Sequence, residues 1–347
     1  MKIFIPFEVK DIGGPSSFVN KFKLGLEKRG HEVTFQETPD YDILFLIVQA
    51  PFRYILKAKR RKIPIVQRLD GVYYWSVSSW KFPLLNLKAT LIRHLFTDYT
   101  VYQSIYSKYC ADRFLGKRYH DQYSIIYNGV DTNLFSPEGS SQKLRDFPEQ
   151  ALFFTASEFR RRDQILPLLK ALTLLEASRP GSFKLLVAGH FIRELKGFET
   201  KLQEYPWIYF LGKIENTSLP EYERGVDVFL FSHLNPPCPN NIIEALACGL
   251  PICGIADGAM PELVEDGLEG LLLPSEGNGF WQKRTYDTLL FVRNLKRITK
   301  QQALFSEQAR LKALQKFSLG KMLDQYEALF KKLSLPNDAH SRKSKPE

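Results

Sequence analysis

Long apolar runs are missing from this 347-residue chain. No stretch of about 18 consecutive apolar residues occurs, so no segment reads as a membrane-spanning helix. Cysteine is scarce: Cys110, Cys238, Cys248 and Cys253 form no CxxC pair and no Cys/His zinc spacing. That excludes disulfide scaffolds and structural zinc and leaves small, reduced core residues of a cytoplasmic protein. GxGxxG and GxxxxGK[ST] are both absent, which removes the usual anchor of nicotinamide-cofactor and ATP readings. Nucleic-acid motifs are lacking too, so the net charge of +10 does not point to nucleic acid as a partner. The apolar part of "MKIFIPFEVKDIGG" is short for a signal peptide and reads as a first strand.

What the chain does have is alternation. Apolar strand-like runs ("KIFIPF", "HEVTF", "YDILFLIV", "IPIVQRLD", "DYTVYQS", "YSIIYN") are separated by amphipathic helical stretches, such as "SSFVNKFKLGLEKRG" with Phe18, Phe22 and Leu26 on one face. After the polar break "SPEGSSQKLRDFPEQ" the pattern restarts with "ALFFTAS", "FKLLVAG", "IYFLG", "VDVFLFS" and "LPICGIA". Strands alternating with helices predict parallel sheets covered on both faces. The expected fold class is α/β, with two Rossmann-like, doubly wound domains facing a cleft. Their expected bounds are residues 1–145 and 146–312, followed by C-terminal helices over 313–335 that return toward the first domain and a disordered polar tail over 336–347. The basic field lies mainly in the first part: residues 1–150 carry 22 Lys and Arg against 15 Asp and Glu, and residues 151–347 carry 26 against 23. Such a field suits phosphate-bearing ligands or an anionic membrane face.

Several motifs sit where such sheets bind ligands, after the carboxyl ends of strands. Gly13-Gly14-Pro15-Ser16 forms the first strand-to-helix turn, which reads as a tight turn or as a backbone approach to ligand. "VQRLDG" ends a strand on Asp70, either a loop cap or a group that handles an acceptor proton. "TASEFRRRDQI" places Arg160, Arg161 and Arg162 directly after a strand, which favours anion binding over a solvated charge run; the run does not show which arginine turns inward. In "NPPCPNNIIEALACGLPI", Glu244 is a lone carboxylate among apolar residues, and Asn241 with Glu244 fits a capping box. "WSVSSWKFPLLNLKATLIRHLF" combines Trp75, Trp80, Phe82, Lys81, Lys88 and Arg93; its leucine spacing favours ordinary helix packing over contact with a membrane surface.

Taken in order, "GGPSSFVNKFKLGLEKRGHEV", "IIYNGVDTNLFSP", "LLVAG", "FLGKI" and "VDVFLFS…CPNNIIEALACGLPICGIADGAMPELVEDGLEGLLLP" resemble the GT-B glycosyltransferases that use nucleotide-sugars with retention, glycosyltransferase family 4. The resemblance implies that Glu244 grips the donor ribose, an ionised carboxylate accepting one hydrogen bond from each hydroxyl of the cis-diol. The N–H groups around Asn240, Asn241 and Ile242, with Arg160, Arg161 and Arg162, would neutralise the diphosphate. Gly13, Gly14 and Glu262 would line the donor cleft, with Asp70 and Arg161 nearest the chemistry. No metal or other cofactor is implied; the nucleotide-sugar is a substrate. Partners would be that donor and a glycan or lipid-linked acceptor, with peripheral contact at the inner face of a membrane as a lesser expectation. One departure stands out. The family pairs two glutamates with seven residues between them, and Pro236 occupies the first position. Asn235, Asn240 or backbone groups would then contact the sugar. That departure keeps open a non-catalytic nucleotide-sugar-binding protein, and a GT-B sugar-nucleotide epimerase is a second alternative.

Overall fold

Within each sheet the chain crosses back between successive strands, and every strand pair is parallel. The computed structural model describes residues 1–8, 14–118, 122–142, 150–277, 279–281 and 286–334. The tail expected over 336–347, and Gly13, lie outside the described residues.

The first sheet holds β1 (Lys2–Phe4), β2 (Glu32–Thr34), β3 (Ile43–Ile47), β4 (Ile65–Leu69), β5 (Tyr99–Tyr102) and β6 (Tyr123–Ile125), in the order β2-β1-β3-β4-β5-β6. Its helices are α1 (Gly14–Glu27), α2 (Phe52–Arg60), α3 (Trp75–Ser78), α4 (Phe82–Leu95) and α5 (Ile105–Phe114). The second sheet holds β7 (Ala151–Phe159), β8 (Phe183–Phe191), β9 (Ile208–Gly212), β10 (Val228–Phe231), β11 (Ile252–Ala256) and β12 (Gly270–Pro274), in the order β12-β11-β10-β7-β8-β9. With it run α6 (Leu166–Ser178), α7 (Glu199–Leu202), α8 (Leu219–Arg224), α9 (Asn240–Ala247), α10 (Met260–Leu263) and α11 (Thr288–Lys300), and then α12 (Gln302–Lys312).

In the second sheet the strand order reverses between β7 and β10, so the loops leaving these two strands open a crevice between them. Those loops are the arginine run and "SHLNPPCP". The last helix, α13 (Leu319–Ser334), crosses to the first domain. There Tyr326 and Phe330 pack edge-on against Phe22 and Phe45, with ring centroids 5.1 to 6.2 Å apart. This aromatic cluster is the main apolar reason for the chain to end on the domain where it began.

Helix α4 departs from expectation. Leucine spacing predicted ordinary packing, yet the buried residues of α4 are Asn86, Ala89, Ile92 and Arg93. Leu84, Leu87, Leu91 and Leu95 face solvent. The stripe was readable in the sequence, but periodicity shows only that a helix has an apolar side, not which side meets the core. The inward position went to Arg93 because partners wait for it: its guanidinium reaches the Tyr102 hydroxyl at 2.7 Å and Asp112 at 2.8 Å. No helix among the described residues is long and apolar enough to cross a membrane.

Candidate functional site

The loop after β7 decides which arginine enters the crevice. The Gln164 side-chain oxygen accepts the backbone N–H groups of Arg160 (2.5 Å) and Arg161 (3.0 Å), which closes the turn. Arg160 folds back onto Glu158, and Arg162 is exposed. Arg161 is the one held inward: Asp163 accepts from its Nε at 3.0 Å and its Nη2 at 2.8 Å, and Nη2 also approaches the Leu234 carbonyl at 3.4 Å. Across the cleft its charge acts on the Tyr74 hydroxyl, whose pKa burial pushes up.

His233, in the loop after β10, stacks on Phe231 at 4.4 Å and lies 3.2 Å from Gln164. Burial first, and then the charge of Arg161, push its pKa down to about 3, so the ring is neutral at ordinary pH. The folded value lies below the unfolded one of about 6.5, so the unfolded chain takes up the proton first. This group's contribution is therefore complete above about pH 6.5 and is lost as pH falls from there toward 3, at no more than about 1.4 kcal/mol per pH unit. Thermal unfolding from pH 7 to 5 should show a shallower acid loss for His233→Gln than for the unsubstituted protein. Parallel slopes would contradict the assignment.

Asn235 takes a left-handed backbone (φ 55°) and is buried; it accepts from the Tyr106 hydroxyl at 2.8 Å and donates to the Gly279 carbonyl at 2.9 Å. Pro236 is wedged against Gly258, where a Cβ would fall 2.4 Å from the proline ring, and its carbonyl accepts the Ala259 N–H at 2.8 Å. Pro236, at the position where the resembled family carries its first glutamate, is thus held by packing.

Helix α9 follows, with Pro239 at its N-cap and no side-chain acceptor there. The capping box that Asn241 and Glu244 fit as an alternative to ligand binding does not form, because Glu244 is the fifth residue of the helix rather than the third. The Asn241 side chain instead donates to the Ala156 carbonyl at 2.7 Å and accepts the N–H of the buried Ile242 at 3.0 Å. The other end follows the sequence signal. Gly249 adopts φ 71°, the Gly249 N–H reaches the Leu246 carbonyl, and the Leu250 N–H reaches that of Ala245, a complete Schellman cap.

The Glu244 carboxylate is buried, and it is met by Lys21 of α1 at 2.8 Å and by Asn216 at 3.4 Å. Both contacts fall on Oε1. Nearby, the Glu223 carboxyl is buried on α8, and burial and then the charge of Glu244 raise its pKa well above the usual carboxylate range.

The first domain meets this loop with a polar network. Arg68, fully buried on β4, reaches Asn128 at 2.6 Å, Gln103 at 3.3 Å and Asp70 at 2.6 Å, and stacks on the Phe18 ring at 3.4 Å. Burial raises the Asp70 pKa, against the pull of Arg68. Asn128 donates to the Asn240 side chain at 2.7 Å and to the Cys238 carbonyl at 3.1 Å. Glu262, expected on the donor side, spends its carboxylate on the other domain. It accepts from the backbone N–H groups of Ile105 (2.8 Å) and Tyr106 (2.7 Å) at the start of α5, and from the Tyr127 hydroxyl (2.9 Å). Gly14 is exposed at the start of α1.

Residues 149–283, 135 of the chain's 347, match the family model of glycosyl transferases group 1. Solved structures match over nearly the whole chain. HepE of Anabaena, in complex with UDP and glucose, shares 17% identity over 95% of this chain and 99% of its own, at a TM-score of 0.70. Sucrose-phosphate synthase of Thermosynechococcus elongatus shares 17% over 96% and 98%, at 0.76. A glycosyltransferase of Rickettsia africae ESF-5 shares 15% over 96% and 98%, at 0.74. The fold is GT-B. No curated protein sequence matches the chain.

Within the GT-B frame, the crevice between the domains brings together Arg161, His233, the Asn240–Asn241 helix start and Glu244 from one side, and Lys21, Arg68 and Asp70 from the other. Sequence reasoning passed over Lys21, Arg68, Gln103, Asn128 and His233. Arg68 did leave a signal, since Gln67 and Arg68 are polar side chains inside the otherwise apolar strand "IVQRL". Lys21 left none; it is one of four cations in an amphipathic helical stretch and meets Glu244 from 223 residues away.

Proposed function

We propose that this chain is a glycosyltransferase that moves a sugar from a nucleotide-sugar to an acceptor hydroxyl, with retention at the anomeric carbon. The observation that carries this reading is the buried Glu244 carboxylate one helix turn inside the crevice between β7 and β10, with Arg161 held in the facing loop. In this reading Glu244 accepts hydrogen bonds from the donor ribose, using Oε2 while Lys21 holds Oε1. Arg161 and the N–H groups of Asn240 and Asn241 take the diphosphate, whose negative charge grows as the glycosidic bond breaks. The acceptor attacks from the face the diphosphate leaves, so no protein nucleophile is needed. Asp70, with its raised pKa, receives or orients the acceptor proton, and Arg68 fixes its carboxylate. Glu262 serves as a clasp between the domains. UDP in the neighbouring HepE complexes makes uridine diphosphate sugars the first donors to try.

Incubation with a panel of nucleotide-sugars and acceptors tests the reading. Release of nucleoside diphosphate that depends on acceptor supports it. Binding without turnover would favour a non-catalytic binding protein, for which Pro236 is the specific argument. Turnover of donor without acceptor would favour an epimerase.

Activity is expected to survive EDTA. The Asp40-Tyr41-Asp42 pair lies before β3, at the end of the sheet away from the cleft. Lys2 holds both carboxylates there, Asp42 through its backbone N–H at 2.7 Å and Asp40 through its side chain at 3.1 Å. Arginine supplies the positive charge at the diphosphate. Complete loss with chelator, restored by Mn²⁺ or Mg²⁺, would contradict this.

A further inference from the structure

We infer that α4 and the adjoining α2 form a docking surface for an anionic lipid bilayer. Leu84, Leu87, Leu91 and Leu95 recur along one line of α4 and are 72, 50, 38 and 66% exposed. Trp80 (69%) and Trp75 (44%) precede α4 in the chain on the side of the cleft loop, and Leu56 of α2 (44%) is exposed as well. The two helices are neighbours: Phe52 of α2 packs against Phe96 just past α4 at 5.9 Å, and Lys88 of α4 lies 5.9 Å from the Phe52 ring. A row of exposed large apolar side chains of this extent on neighbouring elements marks an interaction site.

Charge names the occupant. Residues 43–97 contain ten Lys and Arg and one acidic residue, Asp70, which is tied to the buried Arg68. Arg53, Arg60, Lys62 and Lys81 are exposed. Lys57 and Lys59 pair with Glu37 and Asp98 at the margin. An exposed leucine row flanked by tryptophan and by cations is the pattern of a helix lying in the plane of a negatively charged membrane surface. Interfaces between proteins tend instead to exclude lysine from their apolar centre. The stripe starts beside the cleft loop that carries Asp70. A docked enzyme would therefore present its acceptor side to the bilayer, and a membrane-held lipid is the acceptor class this favours. That last step rests on the transferase reading; the docking surface does not.

Co-sedimentation of the full chain with phosphatidylcholine vesicles, with and without phosphatidylglycerol, tests the inference. The unsubstituted protein should partition onto the anionic vesicles, and less so as salt rises. Leu84→Ser/Leu87→Ser/Leu95→Ser should lower partitioning about tenfold or more. Arg60→Gln/Lys62→Gln/Lys81→Gln should abolish the preference for anionic over neutral vesicles. Because these side chains are exposed, melting temperature and nucleoside diphosphate affinity, measured on the same preparations, should not change. No partitioning by the unsubstituted protein, or undiminished partitioning by the leucine variant, would overturn the inference. So would a dimer that the leucine variant dissociates, since the face would then join two chains. Vesicle binding without nucleotide binding would leave the docking surface standing and sink the transferase reading alone.

Discussion

Glu244→Ala should lower affinity for a nucleoside diphosphate sugar at least about 100-fold, because two charge-assisted hydrogen bonds to the ribose, each about 1.5–3 kcal/mol, are lost together. Glu244→Asp should recover little, since its carboxylate falls one methylene short. Alanine also strands Lys21, whose ammonium sits 2.8 Å from the carboxylate with 19% of the side chain exposed. Some loss of melting temperature is therefore expected without any role in binding. Lys21→Met separates the two effects. It breaks the same ion pair but leaves the ribose ligand in place, so donor affinity should stay within a few-fold of the unsubstituted protein. Calorimetric titration of all three variants checks this. Equal losses in Lys21→Met and Glu244→Ala would make the ion pair, not the ribose contact, the feature that matters.

Arg161→Gln should be the costly member of the arginine run. Its guanidinium is fixed by two bonds to Asp163, which leaves Nη1 outside these contacts and available to phosphate. Loss of one charge-assisted bond corresponds to about ten- to a hundredfold in diphosphate affinity, and turnover should fall with it because the leaving group gains charge in the transition state. The deficit should be larger for a nucleoside diphosphate than for the monophosphate. Arg162→Gln, at an exposed position, should cost no more than about 1 kcal/mol. Arg160→Gln should fall between them, since that side chain is already turned toward Glu158. Near-neutral results at all three positions would move the phosphate site elsewhere in the cleft.

Both sheets and the crevice were legible because parallel strands buried on two faces leave apolar runs, and the restart after "SPEGSSQKLRDFPEQ" marks the second sheet. Glu244 stood out for the same reason: a carboxylate inside an apolar helix demands a partner. The partner itself was not legible, since Lys21 arrives from the other domain. The capping-box match, the rival to a binding role, does not form because a four-residue pattern does not fix the helix start, which Pro239 sets two residues earlier than Glu244 would need. Glu262 was placed by its neighbours in sequence, yet its contacts are decided by α5 of the opposite domain, more than 150 residues away. In the arginine run the sequence carried the charge but not the direction, which Asp163 and Gln164 impose.

The central claim is that a ribose diol lies on Glu244. It is tested most directly by comparing, in calorimetry on the unsubstituted protein, a ribonucleoside diphosphate with its 2′,3′-dideoxy analogue, across uridine, guanosine and adenosine bases. If Glu244 holds the diol, the best ribonucleotide should bind at least about 100-fold more tightly than its dideoxy form, and Glu244→Ala should erase that difference. Equal affinity for the two forms, or a preference that survives in Glu244→Ala, would contradict it.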